Sequence, residues 1–389
     1  MKKLKIWSFL MLAVMMMPLV VSCGGDSEKE ESHDYDSGTK FYFAYQNPIK
    51  TLILGNDYIN DNSLEKEHKC QIWAAMGGPM VGQYGGQGTT VDIVVDETLC
   101  DNLWFADENA DATTPVLPMP TSYYRLLDNK ITYNGENMGS VDVQFTDAYF
   151  NDPKSVKENY VIPILMTKVN GKGSILVGKP REGQNPSRTD LAWDIFPMDY
   201  VLFCVKYKNP WDGLYYRRGV DIVSDGSKTT TIIRKDISDS NNSEYTGINL
   251  NPNHDEQLHI YTKNMTQAIF PATFKINNVS ITCNLILTFN GDKCTISTND
   301  ENVKASGSGE FIVKGTEKAD YKDYQLFWVN IENEGGQMKK NVITYQRDIL
   351  RLAYNIEFQD RNIHVSTNDT LVGSTRESGR REFFSYIKK

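Results

Sequence analysis

The stretch Ile281-Thr282-Cys283-Asn284-Leu285-Ile286-Leu287-Thr288-Phe289-Asn290-Gly291 decides the fold class. Ile281, Cys283, Leu285, Leu287 and Phe289 share one parity and Thr282, Asn284, Ile286 and Thr288 the other, the period of two that a strand with one buried face requires. Asn290-Gly291 then supplies a two-residue hairpin turn. The same alternation recurs at Val141, Val143 and Phe145 against Asp142 and Gln144, and at Leu352, Tyr354, Ile356 and Phe358. Asn134-Gly135, Asn170-Gly171 and Gly335-Gly336 punctuate the runs as turns. Helical periodicity nowhere persists beyond about three turns. Its nearest approaches, residues 63–68 and 152–159, read as turns. The chain is therefore all-β.

Between residues 40 and 180 there are about seven strand-like runs, the number an immunoglobulin-like β-sandwich needs. Residues 181–199 open on a polar stretch with Gly183 and Pro186 and read as a linker. Residues 200–389 carry longer, meander-like hairpins, which fit a lipocalin-like β-barrel or a second sandwich. Residues 374–389 read as a surface tail capped by Phe383, Phe384 and Tyr386.

The composition is globular: of 389 residues, 40% are hydrophobic and 23% charged. With 41 basic against 50 acidic residues the net charge is −9, which disfavours a nucleic-acid partner held by counterion release.

Residues 1–22 have a basic start at Lys2, Lys3 and Lys5, then an apolar run containing Pro18, then the small Ser22, as a secretory signal does. The run is short for a membrane span of about 20 residues. Val20-Val21-Ser22-Cys23 resembles the lipobox of bacterial lipoproteins, and that resemblance makes Cys23 the acylated N-terminus. Residues 23–39 follow as a flexible tether, acidic at Asp26, Glu28, Glu30 and Glu31. An acid cluster behind the lipidated cysteine resembles the signal that sends Bacteroidetes lipoproteins to the outer face of the outer membrane. The expectation is a lipid-anchored, surface-exposed protein whose acyl chains sit in outer-membrane lipid.

Beyond Cys23 stand Cys70, Cys100, Cys204, Cys283 and Cys294, an odd number with no Cys-x-x-Cys pair, so neither zinc nor a dense disulfide framework is expected. With Asn290-Gly291 as the turn, Cys294 falls opposite Leu287, about 13 Å along the strand from Cys283 and out of bridging range. Cys204 reads as a core residue. Cys70 and Cys100 are left open as a pair in an oxidising compartment. His254 and His259 are five apart, a spacing that puts them on opposite faces of a strand and on no common helical face.

Catalytic patterns are missing. The alternating acids Asp-x-x-Asp-x-Asp-x-Glu of family-18 glycosidases do not occur, and Asp92, Asp96 and Glu97 read as polar ends of a strand. No Gly-x-Ser-x-Gly elbow occurs either. The glycine-rich Gly82-Gln83-Tyr84-Gly85-Gly86-Gln87-Gly88 lacks the lysine of a phosphate loop. Asp107-Glu108-Asn109-Ala110-Asp111 alternates oxygens as a calcium loop does, but Ala112 and Pro118 stand where its glycine and bidentate glutamate belong. No cofactor and no metal are expected.

Sugars present apolar C–H faces and hydroxyl rims, which call for an exposed ring beside amides or carboxylates. Trp104 runs into the acidic loop at Asp107, Tyr84 sits among glycines, and Trp193 lies between Asp190 and Asp194, so these three are the candidate glycan contacts. Trp211, and Trp328 alternating with Leu326, read as core.

Three motifs carry a wider resemblance: Pro118-Met119-Pro120-Thr121-Ser122-Tyr123-Tyr124, Asn159-Tyr160-Val161-Ile162-Pro163-Ile164 and Ser174-Ile175-Leu176-Val177-Gly178-Lys179. They are similar to a Bacteroidetes surface lipoprotein family whose uncharacterised N-terminal immunoglobulin-like domain is also found attached to family-18 glycoside hydrolases. Asn209-Pro210-Trp211-Asp212-Gly213-Leu214-Tyr215-Tyr216 and Ser306-Gly307-Ser308-Gly309-Glu310-Phe311 resemble that family's lipocalin-like C-terminal domain. The resemblance implies a non-catalytic lipoprotein that holds polysaccharide or N-glycan within a glycan-utilisation system, beside a glycan importer and hydrolases. It carries over no binding residue. Two other classes stay open at this point, a glycan hydrolase with an unrecognised carboxylate pair and a structural or adhesive surface protein.

Overall fold

Burial follows the alternation residue by residue. In the strand Met138–Phe145, Gly139, Val141, Val143 and Phe145 point into a core while Met138, Ser140, Asp142 and Gln144 face out. The computed structural model describes residues 38–78, 88–234, 256–276, 279–314, 326–334, 337–345, 347–376 and 381–389. It is 59% strand and 6% helix, so the all-β expectation holds. The signal, Cys23, the tether before Gly38, the glycine-rich loop with Tyr84, and His254 lie outside the described residues.

The N-terminal part is one sheet folded over on itself. Its strand order is Ser174–Ile175, Lys40–Tyr42, Lys69–Gly77, Met138–Phe145, Lys130–Tyr133, Thr89–Val95, Tyr160–Asn170, Tyr200–Lys208, Pro48–Ile53 and Glu382–Phe383. The fold-over comes where Met138–Phe145 and Lys130–Tyr133 share the single register pair Ser140↔Thr132. There Gly139 is required, because a Cβ would stand 2.7 Å from the Thr132 carbonyl oxygen. The two halves enclose one core, with Phe41, Ile72 and Val143 from one side and Val91, Ile131, Ile164 and Phe203 from the other. This is the sandwich.

The strand Tyr200–Lys208 corrects the expected boundary. It pairs with Tyr160–Asn170 and, in parallel, with Pro48–Ile53, so it belongs to the N-terminal sheet and not to a second domain beginning at residue 200. Its continuous apolar run is buried on both faces, as in a central strand covered twice. Val201 and Phe203 enter the main core, while Leu202 and Cys204 enter a smaller one with Leu103, Phe105, Val161 and Phe384. Residues 181–199 are likewise no simple linker, since Lys179–Pro180 pairs with Trp193–Ile195.

The barrel begins at Gly213. Its strands are Gly213–Ser224, Glu256–Thr262, Gln267–Ile276, Val279–Asn290, Lys293–Thr298, Val303–Ile312, Ile349–Phe358 and Ile363–Thr375, and the last pairs with the first from Thr375↔Leu214 to His364↔Ser224. Eight strands thus close without an edge, as in lipocalin-size barrels. Alternate side chains fill the interior, among them Phe270, Phe274, Leu285, Leu287, Leu352 and Tyr354. Trp211 stacks on Phe289 at 3.7 Å, a core position as expected. Trp328 lies in the strand Leu326–Glu334, which pairs with Gln337–Tyr345, and its side chain is outside the description.

The hairpin register differs from expectation by two residues. Asn290 pairs with Lys293, so Gly291, at φ +60°, and Asp292 make the turn and Cys294 lies opposite Phe289. A slip of two keeps every side chain on its face. All five described cysteines are free and buried, with Cys70 and Cys100 in different cores. The expected surface tail is a strap: Ser385–Lys388 pairs with Leu103–Ala106, and Phe384 is buried.

The two parts interlock. Tyr58 of the sandwich donates to the Asp348 carboxylate of the barrel, which also accepts from Lys314 N at 3.0 Å and from Arg376 Nη2 at 3.3 Å. A Cβ at Gly55 would stand 2.6 Å from the Pro210 carbonyl oxygen, so the chains touch backbone to backbone there.

Candidate functional site

Of the sequence-derived glycan contacts, Trp193 and Trp104 are described, and each is engaged by neighbours within the fold. Trp193 is a correction: it is 6% exposed, its indole Nε1 donates to the Ser187 carbonyl at 2.9 Å, and the Arg188 guanidinium lies 5.7 Å over its ring. Arg188 is held in turn by Asp199, so Trp193 pins a loop and offers no ring to a ligand. Trp104 is half-buried between Pro115 and Ile387 in the small sheet, with Lys389 Nζ 4.0 Å from its ring centre. In the acidic loop beside it, Asp107 Oδ1 accepts from the amides of Asn109 and Asp111, both at 2.9 Å, and so holds the turn. Tyr84 lies outside the described residues.

The other polar candidates have structural partners as well. Asp96 caps a short 3-10 turn by accepting from Thr98 N, and Asp92 accepts from Asn170 Nδ2 at 2.6 Å. His259 Nε2 donates to Asp212 Oδ1 at 3.0 Å and its ring stacks on Tyr261. Among the described residues no three His, Cys, Asp or Glu side chains are grouped as a metal site would need.

Inside the barrel, Arg217 is fully buried and its donors are engaged. Nε donates to Asp369 at 2.9 Å, Nη1 to the Thr273 carbonyl at 2.8 Å and to Glu256, and Nη2 to Tyr354 Oη at 3.2 Å. Phe270 and Phe274 flank the guanidinium at 5.3 and 5.1 Å. The arrangement satisfies a buried charge, and Asp369 also lines a cavity of about 940 Å³ with Lys293, Glu310 and Arg351. A cavity of about 30 Å³ at the Tyr58–Asp348 joint is of the size that holds water.

One face does meet the requirement for sugar. On the strand Lys69–Gly77, Cys70, Ile72, Ala74 and Met76 point into the core, so Gln71 and Trp73 point outward. Trp73 is 48% exposed, an unusual position for the residue type that is most often buried. Ser140 stands directly opposite it, and one step along, Gln71 Nε2 donates to Asp142 Oδ1 at 2.9 Å. The Gln71 side-chain carbonyl, the second Asp142 oxygen and the Ser140 hydroxyl thus border an apolar ring on the outer face of the sheet. Aromatic stacking and short polar contacts are the chemistry this face offers. Sequence reasoning passed over Trp73, although its parity with Lys69 and Gln71 marked it as outward.

Comparison with known proteins adds family without activity. Residues 210–377 match the model of a domain of unknown function, DUF5627, and residues 35–173 match the model of an N-terminal domain. The first match begins at the observed joint, leaving Tyr200–Lys208 outside the barrel domain. No curated protein matches the chain. A structural-genomics crystal structure of unknown function from Bacteroides ovatus, at 2.40 Å, is 35% identical with a TM-score of 0.73, over 90% of this chain and 99% of that one. A second Bacteroides ovatus structure of unknown function is 10% identical with a TM-score of 0.36, over 89% and 99% of the two chains. On the identity and coverage of the first of these, the chain belongs to the same family as that Bacteroides ovatus protein of unknown function.

Proposed function

We propose that this protein is a non-catalytic lipoprotein, anchored in outer-membrane lipid through Cys23 and displayed on the cell surface, that holds glycan for a neighbouring importer and hydrolases. The leader, the resemblance to Bacteroidetes lipoproteins and the Bacteroides relative support the setting. The observation that carries the binding role is Trp73, a half-exposed indole bordered by Gln71, Ser140 and Asp142 on a sheet face. A single such platform binds weakly, and many copies tethered to one membrane offset this by raising the effective concentration.

The test is a glycan array probed with the detergent-solubilised full-length protein, followed by affinity electrophoresis on the best polysaccharide. Retention without cleavage products, reduced at least tenfold in a folded Trp73→Ala variant, supports the reading. Silence across plant, host and fungal glycans, or unchanged retention in Trp73→Ala, removes it.

A further inference from the structure

Two segments beside the start of the described chain form an exposed apolar ribbon. The Thr39 carbonyl accepts from Ser174 N at 2.9 Å and the Phe41 carbonyl from Leu176 N at 3.0 Å, so residues 174–176 run beside the point where the tether joins the sandwich. Leu176 in turn accepts from Met198 N at 2.8 Å, Lys179 pairs with Ile195, and Arg181 N donates to the Ala192 carbonyl. Residues 176–181 and 192–198 are therefore two neighbouring lines of one ribbon. Gly178 permits their close approach, since a Cβ there would stand 2.5 Å from the Ile195 carbonyl oxygen.

Val177, Leu191, Ile195 and Phe196, all on or at the end of this ribbon, are between 50% and 79% exposed. Scattered apolar residues on a surface need no explanation, but four on one short ribbon do. Buried Trp193, with its bond to Ser187 and the Arg188–Asp199 pair beneath, fixes the ribbon from below, so the exposure is imposed by the fold. The exposed charges along it are nearly balanced, with Lys172, Lys179 and Arg181 against Glu182 and Asp194.

We propose that this ribbon rests on the lipid bilayer, with Val177, Ile195 and Phe196 entering its interfacial layer. The argument for lipid as the occupant is the covalent chain: residues 24–39 number 16 and can span at most about 55 Å between an acylated Cys23 and Thr39. The part of the fold beside Thr39 is thus the part tied closest to the membrane, and it is where the apolar side chains stand out. An apolar contact of this kind adds a second, weaker membrane signal to the acyl chains. It would orient a molecule that its anchor alone leaves free to turn. The inference rests on the anchor proposed above.

The experiment uses full-length protein recovered from cell membranes, with Cys23 checked by mass spectrometry, reconstituted into phosphatidylethanolamine/phosphatidylglycerol vesicles. A nitroxide is placed at Phe196→Cys and, as a water-facing comparison, at the exposed barrel position Val279→Cys; the five described native thiols are buried and stay unlabelled. Collision with oxygen and with a water-soluble nickel chelate is then read for each label. The ribbon label is expected to favour oxygen over nickel several-fold more than the barrel label. Equal ratios with an acylated Cys23 overturn the bilayer contact and leave the anchor standing, whereas an unmodified Cys23 overturns the anchor and the contact with it. Ile195→Cys repeats the measurement should Phe196→Cys fail to fold.

Discussion

The ring of Phe384, five residues from the C-terminal Lys389, packs 4.9 Å from that of Phe105 in the N-terminal part, with the whole barrel between them in sequence. Phe384 is buried with Leu103, Leu202 and Cys204, and the strands on either side of it add to two separate sheets. The sandwich is therefore completed by the end of the chain. Removing a buried phenylalanine costs about 3–5 kcal/mol. Phe384→Ala is expected to lose an amount in this range in urea denaturation, with the sandwich unfolding before the barrel. An unchanged midpoint would show that the strap is dispensable.

Breaking the barrel's internal ion pair is expected to be costly because both Arg217 and Asp369 are buried. Arg217→Met leaves the buried Asp369 with Tyr354 Oη, 2.7 Å away, but without the guanidinium. Leaving one member of a buried pair uncompensated costs about 3–5 kcal/mol. Denaturation followed by a barrel-specific probe checks this. A second substitution, Asp369→Asn, is expected to recover part of the loss in the double variant, as a coupled pair requires.

The thiols make a third expectation. Burial pushes Cys70, Cys100 and Cys294 each up to about 12 and raises Cys204 and Cys283 as well, so none is a nucleophile near neutral pH. Folded protein with an acylated Cys23 is expected at pH 8 to release no colour from Ellman's reagent over minutes. In guanidinium the count should reach five if Cys23 carries an acyl chain and six if it does not.

The strands were legible in the sequence because burial on one face writes a period of two into the chain, and turn glycines mark its ends, but that period is common to a barrel and a second sandwich and left both open. Partners were not. The apolar run at Tyr200–Lys208 announces a strand covered on both sides but says nothing of which sheet it joins, a choice made by Pro48–Ile53 and Tyr160–Asn170 far away in sequence. Trp193 looked exposed beside Asp190 and Asp194, yet Arg188 and the Ser187 carbonyl bury it through a loop whose geometry no local pattern encodes. Trp73 is the opposite case. Its outward direction follows from Cys70, Ile72 and Ala74 alone, and parity would have found it where composition did not.

That exposure yields a further expectation. Trp73→Ala should shift the denaturation midpoint little, by the equivalent of about 0.5 kcal/mol, since surface substitutions away from special features do no more. A large loss of stability would mean that the indole covers part of the sheet and is no free platform.

The joint between the two parts should set a pH limit on stability. Burial raises the Asp212 carboxyl, but its bond to His259, the Lys208 ammonium at 3.5 Å and the bonds from Thr262 outweigh it and hold the group below the usual carboxylate value. In the unfolded chain the group returns to an ordinary value near 3.8. The folded state therefore binds this proton less readily than the unfolded one. The resulting stabilisation is complete above the unfolded value and is lost as the pH falls from about 4 through the lower folded value. Asp212→Asn should be less stable than wild type at pH 6, because a neutral amide cannot replace the charge facing Lys208. The gap should narrow as the pH is taken to 3. Urea midpoints for both proteins from pH 6 to pH 3 check the sign, and parallel curves would assign the acid sensitivity to other carboxylates.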